Sequence, residues 1–281
     1  MNRITKIYHP ITASPFSDND SYREIPPCSA LKPYIRCFWG TSTPFDEESS
    51  PETQQSGIVI PDTCMDIIFE TSITLNRCGS FFCTIDEHSY PTGGSDSNSG
   101  NSSTFAIRFY AWSAVLFSDC DFRGKKNSAS DSEEFFGGLR SQLEPVLFNI
   151  PDLKGKAAAA EKLLIERLHT ERINNDLMNA VYCMLESDGK AKISDICAYT
   201  ALSERKLERI FDSHIGVSPK SFCSLLRYQL LWQEMIFSPS FNILDAVEKY
   251  GYTDQAHLLN DFRKRHLMTP KEALSYALKS Q

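Results

Sequence analysis

The sequence predicts an α+β, multidomain protein: a β-rich N-terminal domain over 1–153, a helical linker over 154–187 and an all-α C-terminal domain over 188–281. Three observations predict this. Short apolar or aromatic runs bounded by turn residues fill the chain up to about residue 120, strong helix formers replace them from about Lys154, and a pattern of short helix, turn, cap and longer helix occurs twice near the C-terminus. At 281 residues, either half can bury its own core without metal or disulfide staples.

The β reading rests on YIRCFWG at 34–40, GIVIPDTCMDIIFE at 57–70, SFFCTI at 80–85 and TFAIRFYAWSAVLF at 104–117. Runs of this length, rich in Ile, Val and Phe, suit strands of an antiparallel barrel or sandwich. Between them, TSTPFDEESSPETQQSG and TGGSDSNSGNSST are too polar and too rich in Gly and Ser to pack, and are expected to be mobile loops. In GKAAAAEKLLIERLHTERINNDLMNAVYCMLES, Leu164, Leu168, Leu177, Val181 and Leu185 fall at helical spacing.

The net charge of −7 is unevenly spread. From Asp188 to the end there are 13 Lys+Arg against 11 Asp+Glu, which leaves 16 against 25 for the rest. The faintly basic C-terminal part permits a polyanionic partner, and His214, His257 and His266 are expected to add charge at lower pH. Nine scattered cysteines without a CxxC pair argue against a disulfide framework and a closed zinc site, so no metal and no cofactor is expected. The N-terminus MNRITKIYHPITASPF lacks the apolar run of a signal peptide, and no stretch is long enough to cross a bilayer; a cytoplasmic protein with no membrane contact is expected. No Ser/His/Asp or Glu-x-x-His constellation appears, so the chain does not read as an enzyme.

The repeated pattern is specific. In the first copy ISDICAYT is a short helix with Ile193, Ile196 and Cys197 inward, ALS turns the chain, and Ser203 caps ERKLERIF; in the second ILDAVEKY is the short helix, Gly251 turns, and Thr253 caps DQAHLLNDFRKRH, which puts the caps 50 residues apart. Leu207, Ile210 and Phe211 form one stripe, Leu258 and Phe262 the other. This is helix-turn-helix geometry, in which the second helix of each pair offers its free face to a major groove. Between the copies, VSPKSFCSLLRYQLLWQEMIF begins with Ser218 as cap and Pro219 at the first helical position. Its roughly 18 residues make a rod on the order of 27 Å.

In order and spacing, LSERKLERIF, IGVSPKSF, AVEKYGYTDQAHLLNDFRK and MTP, spanning about 190–275, resemble the DNA-binding domain of the AraC/XylS family of bacterial transcription regulators. Gly216, Pro219, Gly251, Tyr252, Gln255, Phe262 and Pro270 stand at the family's positions. The resemblance implies a sequence-specific regulator, by family an activator, with double-stranded promoter DNA and RNA polymerase as partners. It also implies a sensing or dimerising N-terminal domain, for which the β-rich half suits a cupin-like or related barrel.

Carried over residue by residue, the resemblance assigns base or groove contact to Arg205, Glu208 and Arg209 in the first reading helix and to Gln255, Ala256, Leu259 and Asn260 in the second. Arg pairs bidentately with guanine, Gln with adenine and Glu with cytosine, whereas Ala256 and Leu259 offer at most a thymine-methyl contact. Lys206, Lys220, Arg227, Arg263, Lys264 and Arg265 are candidates for phosphate, against the plainer alternative of a solvated helix face. Family members often carry Arg where this chain has Asn260 and Gly where it has Leu267, so the second helix is expected to contribute less specificity.

VIPDTCMDIIFE and FAIRFYAW resemble a less common N-terminal domain of the same family, which usually shows Pro-Gly where this chain has Ala111-Trp112 and which brings no known ligand. Trp39, Asp62, Cys64, Asp66, Arg108, Phe109 and Trp112 form a candidate effector pocket for an anionic or planar small molecule. The alternative is that Arg108 pairs with Asp62 or Asp66 and the aromatics are core. A different trigger is a thiol or soft-metal response at Cys78 and Cys83, with Cys64 nearby, against the ordinary use of cysteine as a small buried hydrophobe. A third reading has no ligand, the N-terminal half serving only a homodimer or another protein contact, with AAAAEKLLIERL in a helical interface. DNA-repair alkyltransferases can join this type of DNA-binding domain to a cysteine-rich metal domain, but the paired-cysteine spacing they need is missing.

Overall fold

The structure is a computed structural model that describes residues 1, 3–16, 22–41, 57–72, 76–91 and 102–279. The two low-complexity loops expected to be mobile fall mainly on 42–56 and 92–101, outside the described residues.

The apolar runs of the N-terminal half become strands at Arg23–Ile25 (β1), Ile35–Gly40 (β2), Ile58–Val59 (β3), Cys64–Ser72 (β4), Arg77–Cys83 (β5), Tyr90–Pro91 (β6), Ser102–Tyr110 (β7) and Ala129–Asp131 (β8). Six of them form an antiparallel sheet in the order β1-β2-β7-β4-β5-β8, and β3 pairs with β6 in a separate ribbon. The run at 104–117 stays extended only to Tyr110. The Ser113 hydroxyl then donates to the carbonyls of Tyr34 and Tyr110, and Ala114–Leu116 turn as a 3-10 helix.

Register decides what each face of the sheet carries, because directly opposed residues point the same way and neighbours along a strand point oppositely. Phe38, Ile107, Ile67 and Phe82 lie in one row across β2, β7, β4 and β5, and Cys37, Arg108, Asp66 and Cys83 lie in the adjacent row on the other face.

The helices are Ile4–Ile7 (α1), Glu133–Phe148 (α2), Leu153–Glu166 (α3), Asn175–Glu186 (α4), Ile193–Thr200 (α5), Glu204–Ile215 (α6), Pro219–Phe237 (α7), Ile243–Lys249 (α8), Gln255–His266 (α9) and Pro270–Lys279 (α10). Helix α2 lies inside the segment read as β-rich and covers the apolar face, with the Phe82 ring 5.2, 5.3 and 4.9 Å from those of Phe122, Phe135 and Phe136. The segment 154–187 is two helices rather than one rod: α3 packs on α2 and β2, whereas α4 packs on α5. Among the described residues no helix is long and apolar enough to cross a membrane.

The halves are joined through α7. Gln229 is fully buried, yet its amide is satisfied: its oxygen accepts from the Ile11 amide at 3.0 Å, and its nitrogen donates to the carbonyls of Ile11 at 3.2 Å and Pro61 at 2.8 Å. One turn along, the Trp232 indole donates to the Thr12 carbonyl at 3.0 Å. A buried amide without these partners would be costly, so the bonds hold the N-terminal arm and the β3–β4 connection in place against the helix.

Helix ends follow side-chain chemistry. Ser203 accepts from the Lys206 amide at 3.3 Å and Ser218 from the Ser221 amide at 3.1 Å, with Pro219 at the first helical position. Helix α9 differs from the sequence expectation: Asp254, not Thr253, is its cap, and it accepts from the His257 amide at 2.7 Å. A carboxylate in this position also meets the positive end of the helix dipole. Asp254→Ala is therefore expected to cost about 1 kcal/mol in urea unfolding. Thr253→Ala should leave the midpoint nearly unchanged, and the reverse order would show the cap to be misassigned.

Candidate nucleic-acid interface

In the first unit α5 stops at Ala201, held in the left-handed region at φ 55°, and α6 begins after Ser203. Leu207, Ile210, Phe211 and Ile215 anchor one side of α6 in the core. The opposite side consequently presents Arg205, Lys206 and Arg209 to solvent, with Glu208 at its edge. Arg205 and Arg209 have neither an ion-pair nor a hydrogen-bond partner among the described residues, so both guanidiniums are free for an outside acceptor. Lys206 instead reaches Asp176 on α4 at 2.8 Å. Partial burial, with Glu204 and Asp212 nearby, raises the Glu208 carboxyl above its usual range.

In the second unit α8 leads through Gly251, at φ 66°, to α9. Leu258, Phe262 and His266 are buried; Gln255, Ala256 and Asn260 are exposed, and Leu259 is half-buried. Leu267, where the family often has Gly, closes the helix at φ 59°, a left-handed stop that is strained for a residue with a Cβ. His266 does not supply charge as expected. Burial pushes its imidazole down to about 3, between the rings of Trp232 and Phe262 at 4.5 and 4.9 Å. Burial likewise lowers His214, despite the Ile210 carbonyl that its Nδ1 meets at 3.0 Å.

The six phosphate candidates separate into two kinds. Lys220, Arg263 and Lys264 are exposed, and their side chains form no hydrogen bond or ion pair among the described residues. The others have internal work: Lys206 holds Asp176, Arg227 lies 4.9 Å over the Tyr252 ring, and Arg265 donates to Ser224 Oγ at 2.8 Å beside Asp261 at 3.5 Å.

An open cleft of about 840 Å³ runs along the exposed side of α6. Its far wall is a loop of the N-terminal half that contributes Arg123, Gly124 and Lys126. Sequence reading missed this wall. The only local signal was RGKK at 123–126, a basic run in an acidic half of the chain.

The candidate effector residues are brought together only in part. Arg108 Nη2 meets Asp62 at 2.8 Å, its Nε lies 3.5 Å from Asp66, and the Trp39 indole donates to Asp66 at 2.7 Å. Cys64 shares that face and takes its backbone bond to Asp62 at 2.6 Å. Phe109 does not join them, because it follows Arg108 on a strand and so faces the core, 5.1 Å from Phe117 and stacked on Phe136 at 6.0 Å. Trp112 lies past the strand end, stacked on Tyr110 and edge-on to Phe222 of α7. Burial raises the Asp66 carboxyl, although Arg108 opposes this.

The thiols sit in unreactive surroundings. Cys78 and Cys83 are five apart on β5 and so face opposite sides, and burial pushes Cys83 up to about 12 and raises Cys64 and Cys78. Among the described residues no three His, Cys, Asp or Glu side chains gather as a metal site.

Residues 196–275 match a family model described as a helix-turn-helix domain, and residues 23–128 match one described as a domain of unknown function (DUF6597). Among solved structures, a transcriptional regulator with an AraC-type DNA-binding domain from Chromobacterium violaceum is 25% identical over 37% of this chain and 92% of its own, with a TM-score of 0.34. A probable AraC family regulator from Rhodopseudomonas palustris is 22% identical over 37% and 98%, with a TM-score of 0.33. ToxT from Vibrio cholerae is 11% identical over 91% and 98%, with a TM-score of 0.41. Comparison with curated proteins gives no match. The domain match and the two capped helix pairs inside it show that residues 196–275 form a helix-turn-helix domain.

The ion pairs of Arg108 give a stability prediction. Arg108→Leu leaves Asp62 and Asp66 buried without a counter-charge, an expected loss of about 3–5 kcal/mol at neutral pH. In that variant the Arg108 charge no longer opposes the burial that raises the Asp66 carboxyl above its unfolded value, so the deficit should shrink as pH falls towards about 4 and protonation removes that charge. Urea unfolding across that range checks it; a pH-independent deficit would contradict it.

Proposed function

We propose that the protein is an activator that reads two successive major grooves of promoter DNA, with α6 in one and α9 in the next, under the control of a small-molecule signal at the N-terminal domain. The carrying observation is the pair of capped reading helices set on either side of one 19-residue helix, α7. At 1.5 Å per residue α7 is about 28 Å long, close to the ~34 Å repeat of the major groove.

In this reading Arg205 and Arg209 pair with guanine edges and Glu208 accepts from cytosine; Gln255 and Asn260 address adenine, and Ala256 and Leu259 touch thymine methyls. Lys220, Arg263 and Lys264 take phosphates. Lys206 does so after leaving Asp176, whereas Arg227 and Arg265 chiefly brace the helices. RNA polymerase and a second copy of the chain are the further partners.

The signal acts on the Arg108 face of the sheet. An anionic effector that competes with Asp62 for Arg108 shifts the segment whose neighbour, Pro61, holds Gln229 of α7. The effector then biases the placement of the reading helices through differential affinity for two arrangements.

Selection of bound sequences from a random duplex pool tests the reading, with a motif spanning two helical turns as the expected result. No enriched sequence would overturn it. Arg209→Ala should weaken specific binding by about 1–3 kcal/mol and relax base choice at one position. Lys220→Ala should weaken binding to all sequences and flatten the salt dependence of log K by about 0.9. An unaltered base profile in the first variant, or an unaltered slope in the second, removes that residue from its role.

A further inference from the structure

The loop that walls the cleft carries Arg123, Lys125 and Lys126 in a half of the chain that is otherwise acidic. Its root, Phe122, is buried among Phe82, Phe135 and Phe136, and the Phe122 amide donates to the Ser213 carbonyl of α6 at 2.9 Å. The Gly124 amide donates to Asp212 at 3.0 Å. Gly216, which ends α6 at φ 81°, has no room for a side chain: a Cβ there would lie 2.1 Å from the Lys125 carbonyl oxygen. Lys126 pairs at 2.9 Å with Glu87, which also accepts from Ser221 in the first turn of α7. The loop is thus clamped to the end of α6 and the start of α7.

Charge in the cleft is one-sided. Arg123 and Lys126 on the loop face Arg205, Lys206 and Arg209 on α6, with only Glu208 and Asp212 as acids, in a chain of net charge −7. Arg123 is loosely held, its side chain 62% exposed and 3.3 and 3.8 Å from half-exposed carboxylates of Asp121 and Asp212. Pairs of that kind are weak and exchange readily for a stronger anion. Lys125 is aimed elsewhere, at Glu134 at 2.8 Å and over the Phe135 ring.

We infer that Arg123 and Lys126 bind the sugar-phosphate backbone bordering the groove that α6 enters, so that the N-terminal domain forms part of the DNA interface. This rests on the reading of α6 as a DNA-reading helix. The cleft then holds a backbone strand between two cationic walls, one that reads bases and one that does not.

The test uses the full chain and a duplex carrying the selected motif, with affinity measured over a series of salt concentrations. Arg123→Gln combined with Lys126→Gln should reduce the slope of log K against log salt by about 1–2, since each phosphate no longer neutralised lowers it by about 0.9. The base profile should stay as in the parent, and the melting temperature should fall by no more than about 3 °C, as loss of the partly exposed Lys126–Glu87 pair allows. Lys125→Gln removes a comparable charge outside the cleft and should keep the parent slope. A parent slope in the double variant, an equal reduction in Lys125→Gln, or tighter binding by the double variant would each overturn the inference; the last would make the loop an obstacle to DNA. Arg123→Glu gives a second check, with weaker binding at low salt expected and unaltered binding counting against the loop. A parent chain that binds no duplex would overturn the DNA reading itself, and this extension with it.

Discussion

The spacing of α6 and α9 is set by one uninterrupted helix, α7, which is held in place by a deeply buried apolar face. Leu225, Leu226, Tyr228, Leu231 and Trp232 of α7 are all buried to within 2%. Its start is fixed by Ser218 and Pro219, and its end by the extended backbone of Ser238. A residue inserted within α7 would turn one unit about 100° relative to the other as well as moving it about 1.5 Å. The length of this helix therefore sets the phase and the distance between α6 and α9 together.

The same helix carries the joint to the sheet. Pro61 binds Gln229, while its neighbour Asp62 binds Arg108 in the middle of the polar sheet face. Groups of the N-terminal half at Ile11, Thr12, Pro61, Glu87, Phe122 and Gly124 bond directly to α6 or α7. These contacts, each a few ångströms long, tie the Asp62 segment and the loop after Phe122 to α6 and α7. The arrangement contrasts with two domains on a flexible tether.

The sequence revealed these features unevenly, for physical reasons that differ from element to element. The helix pairs were plain because caps, turn glycines and apolar stripes are local signals. Thr253 and Asp254 are both good capping residues in adjacent positions, and only the geometry of the turn after Gly251 selects Asp254. Helix α2 was hidden by Gly137, Gly138 and Pro145, which read as breakers, although packing on Phe82 and its neighbours overrides them. Arg108 and Phe109 were grouped in one pocket because strand orientation was not fixed, and one residue of offset sends them to opposite faces. The basic loop at 123–126 was visible as a charge run, but its position beside α6 depends on Phe122 and Gly216, which are 94 residues apart in the chain.

One asymmetry of the joint bears on how such a protein diversifies. Gln229 and Trp232 supply side chains, but every partner they hold in the N-terminal half, at Ile11, Thr12 and Pro61, is a main-chain group. Main-chain groups are the same whatever residue bears them. At Ile11, Thr12 and Pro61 the side chain can therefore change while these bonds are kept, provided position 11 retains its N–H, whereas Gln229 and Trp232 cannot change without losing them. The buried Ile4, Tyr8 and Ala13 of the same arm have no such latitude.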